Sequence, residues 1–494
     1  MSNKHFSRRE FLRLSALAAA GAASAQYGFP AAARAAAQPF GRLTVGAPAA
    51  QEVTLDFISD VPEYDNPHRQ ILDIFEDENP GVKINLVSHS EDGQPAYAAK
   101  VAGGYCPAME TVSAISNTTR INADNYQNYV DLGTIDYPYW DLWTYGVKNA
   151  WSNLYGGLPG PRCLNPFMGW LNTWVYHVDL MEKAGLDPRK NVKTWDDLLT
   201  WLDEGARWAK SADSGVDYFW DQGWLPDWFG TGITMDNIPL AFPDGQRDRQ
   251  VACWKGEAKF NAPDSPYRHA FEFFKQAYDK GWVNKQFWTR EWETDMEASY
   301  VSRKSAVVLH GPWIWDKAVA ADPTVQQLGL PATPPAEGQA QWMQWMGDLE
   351  IDQSMSGFTM AMRACNETSP NFGLVKQLFI WWHSPDIVRL RAEAVGALPA
   401  MKLDPPADIK APQVLGVIKD IGTPGGLFEQ VQYETQMSGE SLMSPKRIPG
   451  SPGVWDYESG NDATYWAALM EGRITVQDGL DMAQKNWEAS YKLA

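Results

Sequence analysis

The succession of strand, helix and strand at residues 53–86 most strongly limits the folds open to this chain. Residues 53–57 alternate apolar and polar side chains, as in a strand with one buried face. After Pro67 a helical stripe follows, which Asn79-Pro80-Gly81 ends; its apolar members are Ile71, Leu72, Ile74 and Phe75. Residues 82–86 alternate again. Two strands joined by one helix predict a parallel pair with a right-handed crossover.

Similar strand and helix patterns recur farther along the chain. Apolar runs predict strands at 174–176 and 306–309. Thr194 and Thr475 each precede a helical pattern and are followed three residues later by an aspartate, a variant of the capping box. Apolar stripes predict further helices at 270–280, ended by Gly281, and at 374–382, ended by Ser384-Pro385. The fold class is therefore α/β, with more than one lobe.

The composition narrows the classes of partner. The 494 residues suffice for two or three packed units, and 44% hydrophobic with 21% charged residues is typical of a soluble globular protein. A net charge of −19 disfavours nucleic acid and anionic lipid as partners. The chain also contains 24 tryptophans and 19 tyrosines. Most such rings fill cores, but they also provide flat surfaces on which a ligand can stack.

The cysteines and histidines give no metal or redox signature. Cys106, Cys163, Cys253 and Cys365 lie far apart and form no CxxC pair, which disfavours a zinc ribbon or a redox motif. An oxidising compartment would allow one or two disulfides, and the spacing leaves their pairing open. The seven histidines show no ligand spacing. We therefore expect no metal and no cofactor.

The first 50 residues have the pattern of an export signal. The sequence Ser7-Arg8-Arg9-Glu10-Phe11-Leu12 matches the twin-arginine type. The apolar stretch 14–25 is shorter than the roughly 20 residues that span a bilayer, which disfavours an anchoring helix. Small-residue cleavage patterns occur at 23–25 and 35–37. We expect twin-arginine export to the periplasm, with no membrane insertion after removal of the signal.

Six groups of short segments, in order, resemble the family 1 extracellular solute-binding proteins, the maltose-binding-protein-like receptors of ABC importers. They are residues 71–83, 155–159 with 175–180, 184–188 with 193–198, 305–313, 384–386 with 396–400, and 472–475. His177 and Val178 depart from the Asn-Lys pair that usually follows this tyrosine in the family. Together the segments span nearly the whole chain beyond the signal.

The resemblance implies a two-lobed periplasmic-binding-protein fold with a ligand cleft between the lobes. Each lobe would be a mostly parallel sheet flanked by helices. Lobe one would hold residues 52–165 and 357–420, and lobe two residues 168–355 and 430–494. The implied function is capture of a carbohydrate, an oligosaccharide or a glycoside, by lobe closure. The partners would be this carbohydrate and the membrane permease of an ABC importer, and the protein would act as a monomer.

Candidate binding residues combine aromatic rings with polar groups, because a sugar has both C–H faces and hydroxyls. In the resembling family, loops that follow strands carry such residues. The candidates are Asp60, Glu63, Tyr64, Trp170, Asn172, Trp224, Asp227, Trp228, Trp313, Trp345, Asp348 and Trp455. Trp313 is the strongest of them, because in the resembling family the Gly-Pro-Trp motif places a ring at the floor of the cleft, and Gly311 and Pro312 would fix the turn before it.

Each candidate also has a structural interpretation. The acidic residues after the first strand fit a solvated loop, Trp170 fits packing at a hinge, and Trp345 with Asp348 fits a hinge as well. A tryptophan of the segment 213–255 fits a core equally well.

Two other functions remain open at this point. A periplasmic glycan-active enzyme would need a pair of carboxylates across the scissile bond, and no local motif marks one. The sequence also lacks G-x-S-x-G, H-E-x-x-H and P-loop motifs. A binder of a polyamine, a peptide or an organic acid would use similar acidic and aromatic residues. The resemblance favours a carbohydrate binder that is not an enzyme.

Overall fold

The fold is seen in a computed structural model. It describes residues 52–59, 65–88, 94–111, 126–143, 161–164, 173–225, 234–244, 247–311, 314–331, 333–338, 343–345, 360–395, 399, 401–405, 407–408, 432–434, 446–447, 453–455 and 463–492. The predicted export signal lies outside these residues.

The first sheet has five strands in the order β2-β1-β3-β10-β4. Their bounds are β1 Val53–Ser59, β2 Val82–Ser88, β3 Met109–Thr111, β4 Cys163–Leu164 and β10 Met360–Ala361. β1 runs parallel to β2 and β3, whereas β10 is antiparallel to both β3 and β4. All strands but β10 therefore point the same way. Four helices come from the same two stretches of the chain as these strands. They are α1 Asp65–Glu78, α2 Gln94–Ala102, α10 Phe372–Trp382 and α11 Pro385–Val395.

The second sheet has four strands in the order β6-β7-β5-β8. They are β5 Thr173–His177, β6 Tyr218–Asp221, β7 Ser305–His310 and β8 Gln327–Pro331. β6 and β7 are parallel, and β5 is antiparallel to β7 and β8. Again a single strand, β5, is reversed.

Further helices and two pairs of short strands lie in the rest of the described chain. Two strand pairs join β9 Met343–Trp345 to β11 Gln432–Glu434 and β12 Lys446–Arg447 to β13 Tyr491–Lys492. The remaining α-helices are α3 Val178–Ala184, α4 Pro188–Asn191, α5 Trp195–Ala209, α6 Arg247–Trp254, α7 Tyr267–Lys280, α8 Ala298–Val301, α9 Ile314–Ala321, α12 Ala463–Met470 and α13 Val476–Ser490. No described helix is both long and apolar enough to cross a membrane.

Local sequence signals account for many of these elements. Thr194 and Thr475 cap α5 and α13 with complete capping boxes, as predicted. Gly281 ends α7 in the left-handed conformation, which glycine adopts without steric cost. The strand predicted at 306–309 is β7, buried along its whole length. The α/β class with two sheets is thus confirmed.

Each sheet has its own apolar core. The first core draws on residues between 55 and 164 and between 360 and 401. Within it, the ring of Phe75 packs edge-on against Trp381, with centroids 5.1 Å apart. The second core draws mainly on residues between 174 and 330 and between 454 and 491. These ranges agree in outline with the predicted lobes, whose boundaries stay a prediction.

The second core is built largely from aromatic rings. Trp174 packs edge-on against Trp220 with a centroid separation of 4.8 Å, and Phe271 stacks on Trp466 at 4.8 Å. The latter contact joins α7 to α12, which lie far apart in sequence. Edge-to-face and offset pairs at such distances add to the apolar burial that stabilises a core. Many of the chain's tryptophans therefore have packing roles.

A disulfide joins Cys106 to Cys365 across 259 residues. Cys106 precedes β3, and Cys365 lies in the 3-10 helix Ala364–Thr368 that follows β10. Cys163 and Cys253 are buried thiols that take no part in this disulfide. The bond thus connects the chain near β3, an early strand of the first sheet, to the chain near β10, which joins this sheet much later in the sequence.

Removal of this disulfide should lower the free energy of unfolding by about 2–5 kcal/mol, because the reduced unfolded chain gains the freedom of a long loop. The double variant Cys106→Ser/Cys365→Ser, compared with wild type in guanidinium chloride, measures the loss. A reducing agent should shift the midpoint of the wild type but leave that of the double variant unchanged. Equal midpoints for wild type and double variant would show that the bond does not stabilise the fold.

Candidate functional site

Strand direction brings several chain segments to one edge of each sheet. In the second sheet, β6, β7 and β8 end where β5 begins, and Thr173 is in register with both His310 and Pro331. We call this the second carboxyl edge, marked by Thr173, Asp221, His310 and Pro331. In α/β sheets, ligands bind outside the carboxyl ends of the strands.

The first sheet has the corresponding first carboxyl edge, marked by Ser59, Ser88, Thr111 and Leu164. β1 to β4 end there, and β10 begins there, since Met360 is in register with Thr111 and Leu164. The chain therefore leaves the first edge after Leu164 and reaches the second edge at Thr173. Because a residue spans at most about 3.6 Å, residues 165–172 keep these two points within about 32 Å of each other.

Most of the predicted ligand residues flank these edges in the chain but lie outside the described residues. Asp60, Glu63 and Tyr64 follow β1, and Trp170 and Asn172 precede β5. Asp227 and Trp228 follow β6, and Trp313 follows β7. Asp348 is also outside, and of Trp345 only the backbone in β9 is described. Their ligand contacts stay predictions.

Trp224, a predicted ligand residue, is completely buried in the second core. Its ring packs edge-on against Phe274, Phe287 and Trp466, with centroids 4.6–4.8 Å away. Its backbone N–H donates to the carbonyl of Phe287 at 3.0 Å. In this conformation the ring therefore has a packing role, and contact with a ligand stays a prediction that requires the ring to become uncovered.

Trp455, the other fully described candidate, is likewise completely buried. Tyr267 and Phe260 lie nearest to it, at centroid distances of 5.2 and 5.7 Å. The carbonyl of Trp455 accepts a hydrogen bond from the indole of Trp466 at 3.3 Å. These contacts join the segment before α12 to α7, so the ring packs the second core in this conformation, and its predicted ligand contact remains untested.

Asp221 ends β6 with a buried carboxylate at the second carboxyl edge. Arg290 pairs with it at 2.9 Å, and Asn284 donates hydrogen bonds to this carboxylate and to the carbonyl of Gln222. Burial raises the pKa of Asp221 to about 6, although the charge of Arg290 opposes that shift. At neutral pH the group is therefore mostly ionised and paired, which fixes the chain at Asp221 and Gln222, where β6 ends.

A π-helical turn at Trp292–Glu297 borders the same edge. Leu225 donates its N–H to the carbonyl of Arg290 at 3.0 Å and accepts from the N–H of Trp292 at 2.8 Å. These bonds pin the chain after β6 to the start of the π turn. Single π turns are rare in proteins and are frequent at functional sites.

The end of the π turn holds a cluster of ionisable side chains, of which Glu297 and His310 are buried. One oxygen of Glu297 lies 3.0 Å from Nε2 of His310, and the other lies 2.5 Å from Nζ of Lys317. Lys317 also pairs with Glu293 at 2.8 Å. Burial tends to lower the pKa of Lys317, but the two carboxylates outweigh it and raise this pKa above the usual value. The lysine therefore carries its charge at neutral pH.

The sequence did not predict this cluster. The one local signal is His310, a polar residue that closes the otherwise apolar run of β7. Nothing near Glu297 or Lys317 in the sequence marks them as its partners. Among the residues with described placement, no group of histidine, cysteine or acidic side chains could hold a metal ion.

The sequence profile of the bacterial extracellular solute-binding proteins matches residues 58–361. The chain belongs to this family. The match covers more than half of the 494 residues and runs from β1 to β10. No curated protein matches the chain in sequence.

Three solved structures have a fold similar to that of this solute-binding protein and low sequence identity to it. A sugar transporter of Bacillus licheniformis in complex with stachyose is 18% identical, with a TM-score of 0.56 over 88% of this chain and 98% of that one. A protein from a study of xylan utilisation by Caldanaerobius polysaccharolyticus is 16% identical, with a TM-score of 0.60 over 88% and 99%. RafE, which is known from Streptococcus pneumoniae, in complex with raffinose is 14% identical, with a TM-score of 0.60 over 88% and 98%. These likenesses show the two-lobed fold.

Trp455→Ala should lower the free energy of unfolding of the unliganded protein by about 3–5 kcal/mol, because the ring is completely buried and its removal leaves a cavity. Guanidinium chloride denaturation of variant and wild type measures the loss. Trp455→Phe keeps an aromatic ring and should cost less. If Trp455→Ala instead keeps the wild-type denaturation midpoint but loses saccharide binding, the ring belongs to the ligand site.

Proposed function

We propose that this solute-binding protein captures an oligosaccharide or a glycoside and delivers it to the permease of an ABC importer. The observation that carries the proposal is the likeness, over 88% of the chain, to solute-binding proteins solved with stachyose and with raffinose. Family membership supports the role of binding protein and the permease as partner. The specific sugar is a matter for experiment.

The strand edges support the place of the proposed site. The predicted aromatic and polar ligand residues stand in the sequence after β1, β6 and β7 and before β5, next to strand ends that lie at the two carboxyl edges. Aromatic faces would stack on the C–H faces of a sugar while carboxylates and amides bind its hydroxyls. We further propose the lobe boundaries given by the sequence, with closure of the lobes burying the sugar.

We also propose that the protein is a monomer without hydrolase activity and without nucleic-acid partners. Members of its family are binding proteins, and the net charge of −19 opposes association with nucleic acid. Release of reducing ends from a bound saccharide would contradict the absence of hydrolysis. Sedimentation of the purified protein checks the monomer.

A thermal-shift screen of the mature protein tests the proposed function. Raffinose, stachyose, xylo-oligosaccharides and chitin oligosaccharides form the test set, and spermidine, tripeptides and organic acids form the comparison set. A saccharide at one hundred times its Kd should raise the free energy of unfolding by about 2.7 kcal/mol, because it binds the native state alone. Stabilisation by the comparison set and by none of the saccharides would overturn the carbohydrate assignment.

Twin-arginine export to the periplasm is proposed from Arg8 and Arg9 within the signal. Replacing both by lysine keeps the charge but removes the pair, so the precursor should remain in the cytoplasm. Immunoblots of periplasmic and cytoplasmic fractions measure the distribution. Arg13→Lys, outside the motif, is the matched control and should leave export intact. A normal periplasmic yield of the double variant would indicate the general secretory route.

A further inference from the structure

Trp208 and Trp292 are two tryptophans that pack against the second core but remain partly exposed. They lie at opposite ends of the second sheet. Trp292 begins the π turn that borders the second carboxyl edge. Trp208 lies in the last turn of α5, where Ser214 donates its hydroxyl to the carbonyl of Ala209 shortly before β6 begins. Because ligands of α/β sheets bind outside the carboxyl ends of the strands, Trp292 is the ring placed to meet one.

Three chain segments hold Trp292 at this edge. Its backbone N–H donates to the carbonyl of Leu225, in the chain after β6, at 2.8 Å. Its ring lies 5.9 Å, between centroids, from the ring of His310, which ends β7. Nζ of Lys317, in α9, lies 5.3 Å from the centroid of the same ring, in the range of a cation–π contact. A ring held in this way loses little conformational freedom when a ligand binds it.

An acidic and a basic side chain flank the partly exposed ring. Glu293, the residue after Trp292, pairs with Lys317 at 2.8 Å. The side chain of Glu293 is 55% exposed and that of Lys317 is 26% exposed, so both reach solvent beside the ring. The buried carboxylate of Glu297 binds Nζ of Lys317 as well, at 2.5 Å. This second pairing keeps the ammonium in place when Glu293 turns toward a ligand.

We propose that Trp292, Glu293 and Lys317 form a saccharide subsite at the second carboxyl edge. The C–H face of a sugar ring would stack on Trp292, while its hydroxyls donate to Glu293 and accept from the ammonium of Lys317. The inference rests on the proposed function and adds to it ligand residues that the sequence does not mark. It also gives the π turn a role, since this turn carries both Trp292 and Glu293.

Trp208 provides a matched control for the aromatic part of the subsite. It is also a partly buried tryptophan that packs against the second core, so Trp208→Ala and Trp292→Ala remove the same side chain from the same core. The two positions differ in the end of the sheet at which they lie. A loss that follows from destabilisation of this core should therefore be seen in both variants, and a loss of sugar contact in Trp292→Ala alone.

Asp279 provides a matched control for the polar part. It pairs with Lys275, and the exposed fractions of these two side chains, 55% and 24%, are close to those of Glu293 and Lys317. Asp279 lies in the last turn of α7. The chain after it runs beside β6 and reaches the second carboxyl edge only near Glu291. Asp279→Ala therefore breaks a similar exposed ion pair away from this edge.

Calorimetric titration of the variants is the first measurement. Stachyose is the first probe, and raffinose, xylotetraose and chitotetraose follow in turn if it does not bind. Trp292→Ala should weaken binding about tenfold, because the sugar loses its stacking face. Glu293→Ala should weaken binding about threefold, because a hydroxyl loses its charged acceptor. Trp208→Ala and Asp279→Ala should each change the affinity less than about twofold, since both lie away from the subsite.

Fluorine NMR is the second measurement, and it uses the wild-type side chains. Protein labelled with 5-fluorotryptophan gives one signal for each tryptophan environment, and Trp292→Phe and Trp208→Phe assign the two that matter. Saturation with the saccharide that binds should shift the Trp292 signal and leave the Trp208 signal in place. If Trp292→Ala does not fold, this shift and the affinity of Glu293→Ala decide.

The outcomes separate failure of this inference from failure of the proposed function. A saccharide that binds wild type and Trp292→Ala equally well, without shifting the Trp292 signal, would overturn the subsite and leave the carbohydrate function intact. Equal losses of affinity in Trp292→Ala and Trp208→Ala would overturn the subsite as well. If wild type binds none of the four saccharides, the proposed function fails and the subsite fails with it.

Discussion

The single reversed strand in each sheet is the constraint on which the rest of the architecture depends. β5 and β10 both begin at a carboxyl edge, so the chain enters each of these two strands at such an edge. In each sheet, all the strands that run opposite to the reversed strand end at the edge where that strand begins. The segments that connect the strands at these edges therefore start close to one another in each sheet.

Much of the fold could be predicted because its signals are local. The alternation at 53–57 and 82–86, the helix between them and the two capping boxes depend on residues within a few positions of each other, and all are present in the structure. The α/β class follows from the order of such elements. The place of the candidate site, at the carboxyl edges of the sheets, can also be predicted from the order of the elements, because parallel strands end at the same edge.

The contacts that sequence could not predict join residues far apart in the chain. Trp224 and Trp455 have the same local appearance as ligand-stacking tryptophans, and only the packing of Phe274 and Tyr267 against them reveals their burial. Glu297 meets His310 and Lys317 because a π turn, a strand and a helix converge. The pairing of Cys106 with Cys365 likewise depends on β3 lying beside β10.

That disulfide also makes a covalent ring of the chain between residues 106 and 365. All four strands of the second sheet lie within this ring, whereas α12 and α13, which complete the second core, lie beyond it. A single protease cut anywhere inside the ring would leave one covalently connected molecule, and only reduction would release the fragments. A cut between α11 and α12 would instead break the covalent link to the C-terminal helices, which would then be held to α7 by noncovalent contacts, among them apolar packing and hydrogen bonds.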